Sequence, residues 1–129
     1  MQDDLIAIAT SARVEAYAPY SCFQVGAALR GKDGRVFTGC NVENISFGLT
    51  MCAERNAIFQ AVAAGVRAFE VLVVVADTRE PISPCGGCRQ VMAEFGDFTV
   101  ISATLSGKRF ETSVGFLLPR GKTGILDHA

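Results

Sequence analysis

Three cysteines and one glutamate constrain this chain more than any other feature. Cys52, Ala53, Glu54 and Arg55 stand together, and farther along come Pro84, Cys85, Gly86, Gly87, Cys88, Arg89 and Gln90. The CxxC pair has the short spacing at which two thiolates reach one ion, and Cys52 can supply a third. Three sulfur ligands leave tetrahedral zinc one position open, and zinc with an open position binds water and lowers its pKa toward ~7. Glu54, two residues from a ligand, is placed to move protons at that water. Taken alone, a CxxC is equally a redox pair, and a cysteine is often a small buried hydrophobe. The presence of both halves favours the metal.

The spacing of apolar residues predicts alternating elements around these motifs. Leu5, Ile6, Ala9, Ala12 and Ala16 predict an amphipathic helix over residues 3–17, with Asp3 as its cap and Pro19 as its stop. Phe23, Val25, Ala27 and Leu29 alternate as in a strand over residues 22–30, and residues 35–40 form a second strand across a turn at 31–34. Residues 39–51 lack periodicity and read as a loop leading into the metal motifs. Within it, Asn41 and Glu43 at the end of a strand can point the same way and offer an amide and a carboxylate to hydroxyl groups. On spacing alone, an Asx-type turn and a solvated acid suit them better.

Residues 52–64 predict a helix with Gly65 just past its end, and residues 71–76 a central strand covered on both faces. Residues 87–95 predict a second short helix stopped by Gly96. Cys52 and Cys88 then lie at helix starts, where partial positive charge and free amides stabilise thiolates. Arg55 and Arg89 can add full charges there, the alternative for each being a surface side chain. A strand at 98–102, a turn at 106–108, a short strand at 109–111 and a last helical turn at 114–118, capped by Ser113 and closed by Pro119, complete the reading. His128 reads as a solvated tail residue. This order implies an α/β layered domain with a mixed sheet, an antiparallel hairpin followed by strands linked through helices.

Size and charge narrow the function classes. With 129 residues the chain is expected to be a single catalytic domain, 1–129. Half of it is hydrophobic and 19% charged, which leaves little polar surface for a monomer and predicts subunit interfaces. A net charge of -1 without a run of like charge argues against a grip on nucleic acid. Asp3 and Asp4 precede the first apolar stretch, the reverse of a signal peptide, and no apolar run approaches the ~20 residues of a membrane span. A soluble, cytoplasmic protein without a membrane partner is expected. Five cysteines are an odd number and suit free thiols and ligands better than a disulfide framework.

The Cys, Ala, Glu run with Pro84 before the CxxC pair matches the known signature of zinc deaminases, in which cysteine can replace histidine and the glutamate is not a ligand. Together with Tyr20, Ser21, Phe23, Val25 to Leu29, Gly39 to Asn44 and Leu117, Leu118, Pro119, it makes nearly the whole chain resemble the small, homotetrameric cytidine deaminases. The resemblance implies a three-layer α/β/α sandwich with a five-stranded mixed sheet. It implies one zinc per subunit on Cys52, Cys85 and Cys88, with Glu54 carrying protons. It further implies Asn41 and Glu43 on the ribose hydroxyls, Phe23 against the base, Ala53 touching the base through its backbone, and Arg55 bonded to the ligand thiolates. The reaction would be hydrolytic deamination of cytidine and deoxycytidine in pyrimidine salvage, by a homotetramer with sites at its subunit interfaces.

Two positions depart from that pattern. Phe47 stands where the family often has a tyrosine that helps line a neighbouring subunit's site, and Lys122 stands, by counting, where many members carry a stacking phenylalanine. Phe116 or Phe47 could compensate for the lost ring. The alternative substrate is a modified aminopyrimidine nucleoside such as a blasticidin-type antibiotic, against which the retained Glu43 argues. A zinc-stabilised binding module would need a fourth ligand, for which Cys22 and Cys40 are the candidates. Both sit in strand-like stretches that suit a small apolar residue, and Glu54 would then lack a purpose. A polynucleotide editor would need a basic groove and aromatic platforms.

Overall fold

In the computed structural model, residues 2–123 are described. The order is α1 (Asp3–Arg13), β1 (Val25–Gly31), β2 (Val36–Cys40), α2 (Ala53–Ala63), β3 (Phe69–Ala76), α3 (Gly86–Glu94), β4 (Thr99–Thr104), β5 (Arg109–Ser113) and α4 (Val114–Leu117). The five strands form one mixed sheet in the order β2-β1-β3-β4-β5. The β1/β2, β1/β3 and β4/β5 pairs are antiparallel and β3/β4 is parallel. The parallel pair is joined through α3, as a parallel connection requires a crossover.

β3 is the axis of the core. Its side chains alternate, so Val71, Val73 and Val75 face one side with Leu5 and Ala9 of α1, Ala28 and Ile101. Leu72, Val74 and Ala76 face the other, with Ile58 of α2, Met92 of α3 and Val100. A strand covered on both faces must be apolar at every position, and burying each such side chain contributes about 1.5–3 kcal/mol. This gives three layers: α1, the sheet, then α2 and α3. Two glycines let the layers close. A Cβ at Gly26 would sit 2.0 Å from the Ala9 carbonyl oxygen of α1, and one at Gly39 would sit 2.3 Å from the Ala53 carbonyl oxygen of α2.

Several boundaries differ from the expectation. α1 ends at Arg13 rather than near Tyr17, and Gln2, not Asp3, is its N-cap. The chain leaves in successive tight turns and Tyr17 pairs with Val42 instead. β1 begins at Val25, because residues before it are held by side chains from the 41–43 segment. Cys22 therefore lies in an exposed turn with φ 58, not in a strand. Residues 47–49 form a 3-10 turn within the expected loop. Cys52 caps α2 from outside rather than standing in its first turn, and β4 and β5 each run two residues farther than expected. Ser113 caps α4 as expected, its hydroxyl accepting from the Phe116 amide at 3.3 Å. His128 lies outside the described residues. No helix among those described is long and apolar enough to cross a membrane.

Candidate metal centre

Two helix starts meet beyond the C-terminal end of β3. Cys52 is the N-cap of α2 and Cys85 the N-cap of α3, with Cys88 in the first turn of α3. Their sulfurs all lie within 4.8 Å of one another. Cys52 Sγ is 3.7 Å from Cys85 Sγ. The edge of a sulfur tetrahedron around zinc, with Zn–S about 2.3 Å, is about 3.8 Å, so the spacing suits one shared ion. It is far too long for a disulfide, and all five cysteines are free. Among the described residues no other histidine, cysteine or acidic side chain joins the cluster. Cys22 and Cys40 are outside it, so the donor set is open at one position.

The cluster's electrostatics ask for a cation. Hydrogen bonding from Cys88, then from Arg55 and Cys85, brings the Cys52 thiol down to about 5 against the cost of burial. That same bond to Cys52 raises the Cys88 thiol, with burial and the negative charges of Glu54 and Cys52 adding to it. One thiolate forms easily and its neighbour then holds its proton, unless a dication occupies the space between them. Arg55 Nη2 donates to Cys52 Sγ at 3.3 Å, and the thiolate raises the arginine's own pKa in return. The Cys88 backbone amide donates to Cys85 Sγ at 3.4 Å. A half-buried arginine and a helix amide thus offset charge on two of the three ligands.

Glu54 lies one helical step inside this cluster and is 4% exposed. Burial raises its pKa to about 7, with the neighbouring Cys52 charge adding to the rise and Arg55 opposing it. A carboxyl group that titrates near neutrality can both take and return a proton at working pH. It opens onto a cavity of about 220 Å³ that also touches Phe23, Asn41, Cys52, Ala53 and Cys85. Thr50, Ile82 and Ser83 line it as well, and sequence reasoning passed over these three. The available signal was position: Ile82 and Ser83 directly precede the Pro84, Cys85 pair.

Asn41 and Glu43 are both tied to the segment that leads into β1. Asn41 is buried, its Oδ1 accepting from the Val25 amide at 2.8 Å and its Nδ2 donating to the Phe23 carbonyl at 2.8 Å. One N–H and one lone pair of that amide remain for a ligand. Glu43 Oε1 accepts from the amides of Tyr20 and Ser21, and Oε2 from the Ser21 hydroxyl. These bonds, the Ser21 hydroxyl first, lower its pKa. Glu43 lines an adjoining depression with Tyr20, Ser21 and Phe47, and Thr50 joins the two spaces. Phe47 is 76% exposed and meets the Tyr20 ring edge-on at 6.3 Å.

Of the two places open to Arg89, a contact with the thiolates or the surface, the structure shows neither: the side chain is half-buried and bonded elsewhere. Its Nε donates to the Pro84 carbonyl at 2.9 Å, Nη1 to the Leu117 carbonyl at 3.0 Å and Nη2 to the Ser83 hydroxyl. Lys122 pairs with Glu94 of α3, so its ammonium lies on the outside of that helix.

Residues 1–104 match the family described as "Cytidine and deoxycytidylate deaminase zinc-binding region". A cytidine deaminase of Sporosarcina psychrophila is 54% identical over 119 residues, 91% of this chain and 88% of that one. The crystal structure of cytidine deaminase from Burkholderia pseudomallei superposes with a TM-score of 0.90 at 53% identity, covering 92% of this chain and 97% of that one. Blasticidin-S deaminase of Bacillus cereus is more distant, 31% identical over 106 residues.

Proposed function

Because this chain belongs to the cytidine and deoxycytidylate deaminase family, we propose that it hydrolyses cytidine and deoxycytidine to uridine and deoxyuridine with release of ammonia. The observation that carries the reading is a buried carboxyl group beside a three-sulfur cluster that is open at one position, both facing one cavity. Zinc bound by Cys52, Cys85 and Cys88 supplies the Lewis acidity that lowers the pKa of water toward ~7. Glu54 takes a proton from the attacking water and delivers it to N3 of the base. Once the hydroxyl has added to C4, the same carboxylate takes the proton of that hydroxyl and passes it to the amine, which leaves as ammonia while the C4 carbonyl forms.

The remaining residues bind and orient. Phe23 lies against the base and the backbone of Ala53, at the start of α2, contacts its edge. Asn41 and Glu43 take the ribose hydroxyls, each through the valences its internal bonds leave free. Arg55 holds Cys52 in its thiolate form by the 3.3 Å bond to its sulfur. Residues 1–129 act as one catalytic domain, working in the cytoplasm on free nucleosides of pyrimidine salvage.

Four copies assemble with the sites at their interfaces. What supports this is the apolar surface near the open cavity: Ile45 is 78% exposed, Phe47 76% and Leu49 69%. Surfaces of this kind are normally covered by a partner. Phe47 then contributes to a neighbour's site.

The test is ammonia release from cytidine and deoxycytidine by purified protein, with zinc determined on the same sample. Turnover with about one zinc per chain, the content of a single catalytic site, supports the reading. Full zinc with no turnover of either nucleoside, but turnover of blasticidin-type compounds, overturns the substrate.

A further inference from the structure

We propose that Arg89 is a positioning residue that ties the metal loop to the C-terminal segment, so that the setting of the Cys85 sulfur depends on how α4 is seated. The inference rests on the reading of Cys52, Cys85 and Cys88 as zinc ligands. Its basis is the reach of one guanidinium to three separate pieces of backbone and side chain.

Arg89 follows Cys88 on α3. From there Nε donates to the Pro84 carbonyl and Nη2 to the Ser83 hydroxyl, both immediately before Cys85. The Pro84 carbonyl belongs to the peptide plane that leads into Cys85, so fixing that oxygen fixes the backbone from which the Cys85 side chain departs. One side chain thereby locks the loop ligand onto the helix that carries another ligand. Nη1 faces the other way and donates to the Leu117 carbonyl at the end of α4. The last carbonyls of a helix have no partner within it, so the Leu117 oxygen is free to accept this bond.

The C-terminal segment is held along α3 at further points. Gln90 Nε2 donates to the Gly121 carbonyl at 3.0 Å and Lys122 pairs with Glu94. The start of α4 is pinned independently, its Gly115 amide donating to Asp97 Oδ1 at 2.8 Å. A planar fork with donors in three fixed directions explains why the position holds arginine. A lysine ammonium on its single stem cannot span the same three acceptors.

The experiment is transfer of zinc from the holoenzyme to a chromogenic chelator, followed for the wild type, R89K, R89A, D97A and the R89A/D97A pair, with thermal unfolding measured on each. Loss of a group that orients a metal ligand costs roughly 10–100-fold in metal affinity. R89A should weaken zinc retention by about that factor, and R89K should recover only part of it. D97A leaves every bond of the metal loop in place, so faster release from D97A with Arg89 present, and no further acceleration by D97A in the R89A background, is the result expected of a coupling. R89K indistinguishable from the wild type overturns the role of the fork, and additive effects of R89A and D97A overturn the link to α4. If R89A does not fold, D97A with wild-type release overturns that link by itself. A wild type that carries no zinc removes the metal reading on which the proposal stands, a failure visible before any variant is compared.

Discussion

Glu54 is the residue whose environment departs furthest from that of a surface acid. Burial, not a single partner, raises its pKa to about 7, so removing its charge while keeping its shape separates proton transfer from packing. Glu54→Gln should retain zinc and the melting temperature while kcat falls by about 10²–10⁴, the usual contribution of a positioned general acid and base. Near-normal turnover would sink its role. Glu43 is perturbed in the opposite sense, its pKa lowered from 4.5 chiefly by the Ser21 hydroxyl and then by the Ser21 and Tyr20 amides. A group with a depressed native pKa stabilises the fold above its unfolded pKa, and that contribution disappears as pH falls through the lower native value. The protection factors of the Tyr20 and Ser21 amides, measured against their intrinsic exchange rates at each pH, should therefore fall on acidification below pH 4.5. Glu43→Gln should show fast exchange already at neutral pH, and an unchanged acid profile in that variant would reject the anchor. Lys122, one of the two departures from the family pattern, places an ammonium against Glu94 and offers no ring. Phe116 of α4, at 74% exposure, is a ring that the C-terminal part of the chain leaves open to solvent.

Among the elements, α2 and β2 determine where the first ligand stands. Gly39 lets the β2 backbone come against the first turn of α2, and Asn56 Nδ2 bonds the Cys40 carbonyl at 2.7 Å across the same contact. Cys52 is the cap of that helix, so any displacement of its first turn carries the sulfur with it. Gly39→Ala puts a methyl group 2.3 Å from the Ala53 carbonyl oxygen and 2.5 Å from the Ala57 amide nitrogen. Because both are backbone atoms, neither can rotate away. The substitution should cost about 1–3 kcal/mol of stability, as overpacking does, and lower zinc retention. Thermal unfolding and zinc content equal to those of the wild type would show that the helix has room to move. Gly34, by contrast, has φ 93 and open space around it, so there the glycine serves the hairpin turn itself.

For the whole molecule, what matters is the apolar surface the three layers leave uncovered. The sheet's faces are closed by α1 on one side and by α2 and α3 on the other. The 3-10 turn at 47–49 and Phe116 of α4 still present large side chains to solvent. Sedimentation should give the mass of four chains. Phe47→Asp should shift that mass downward and reduce kcat/KM, since the charge would be buried at the interface without a partner. A monomeric wild type with full activity would overturn the assembly proposed above.

The sequence by itself determined the donor set, the acid beside it and the layered order of elements. Those readings depend on spacing along the chain: CxxC at the start of a helix, Glu54 two residues after Cys52, and the unbroken apolar run of β3 that only a strand covered on both faces tolerates. Tertiary structure decided the direction of the long polar side chains. The guanidinium of Arg89 turned from the thiolates to Leu117, and the Asn41 amide bound the Phe23–Val25 backbone while Glu43 took Tyr20 and Ser21. Each of these partners lies far off in sequence. A flexible side chain with several donors or acceptors takes the nearest unpaired backbone group, and which group is nearest is known only after the layers have packed.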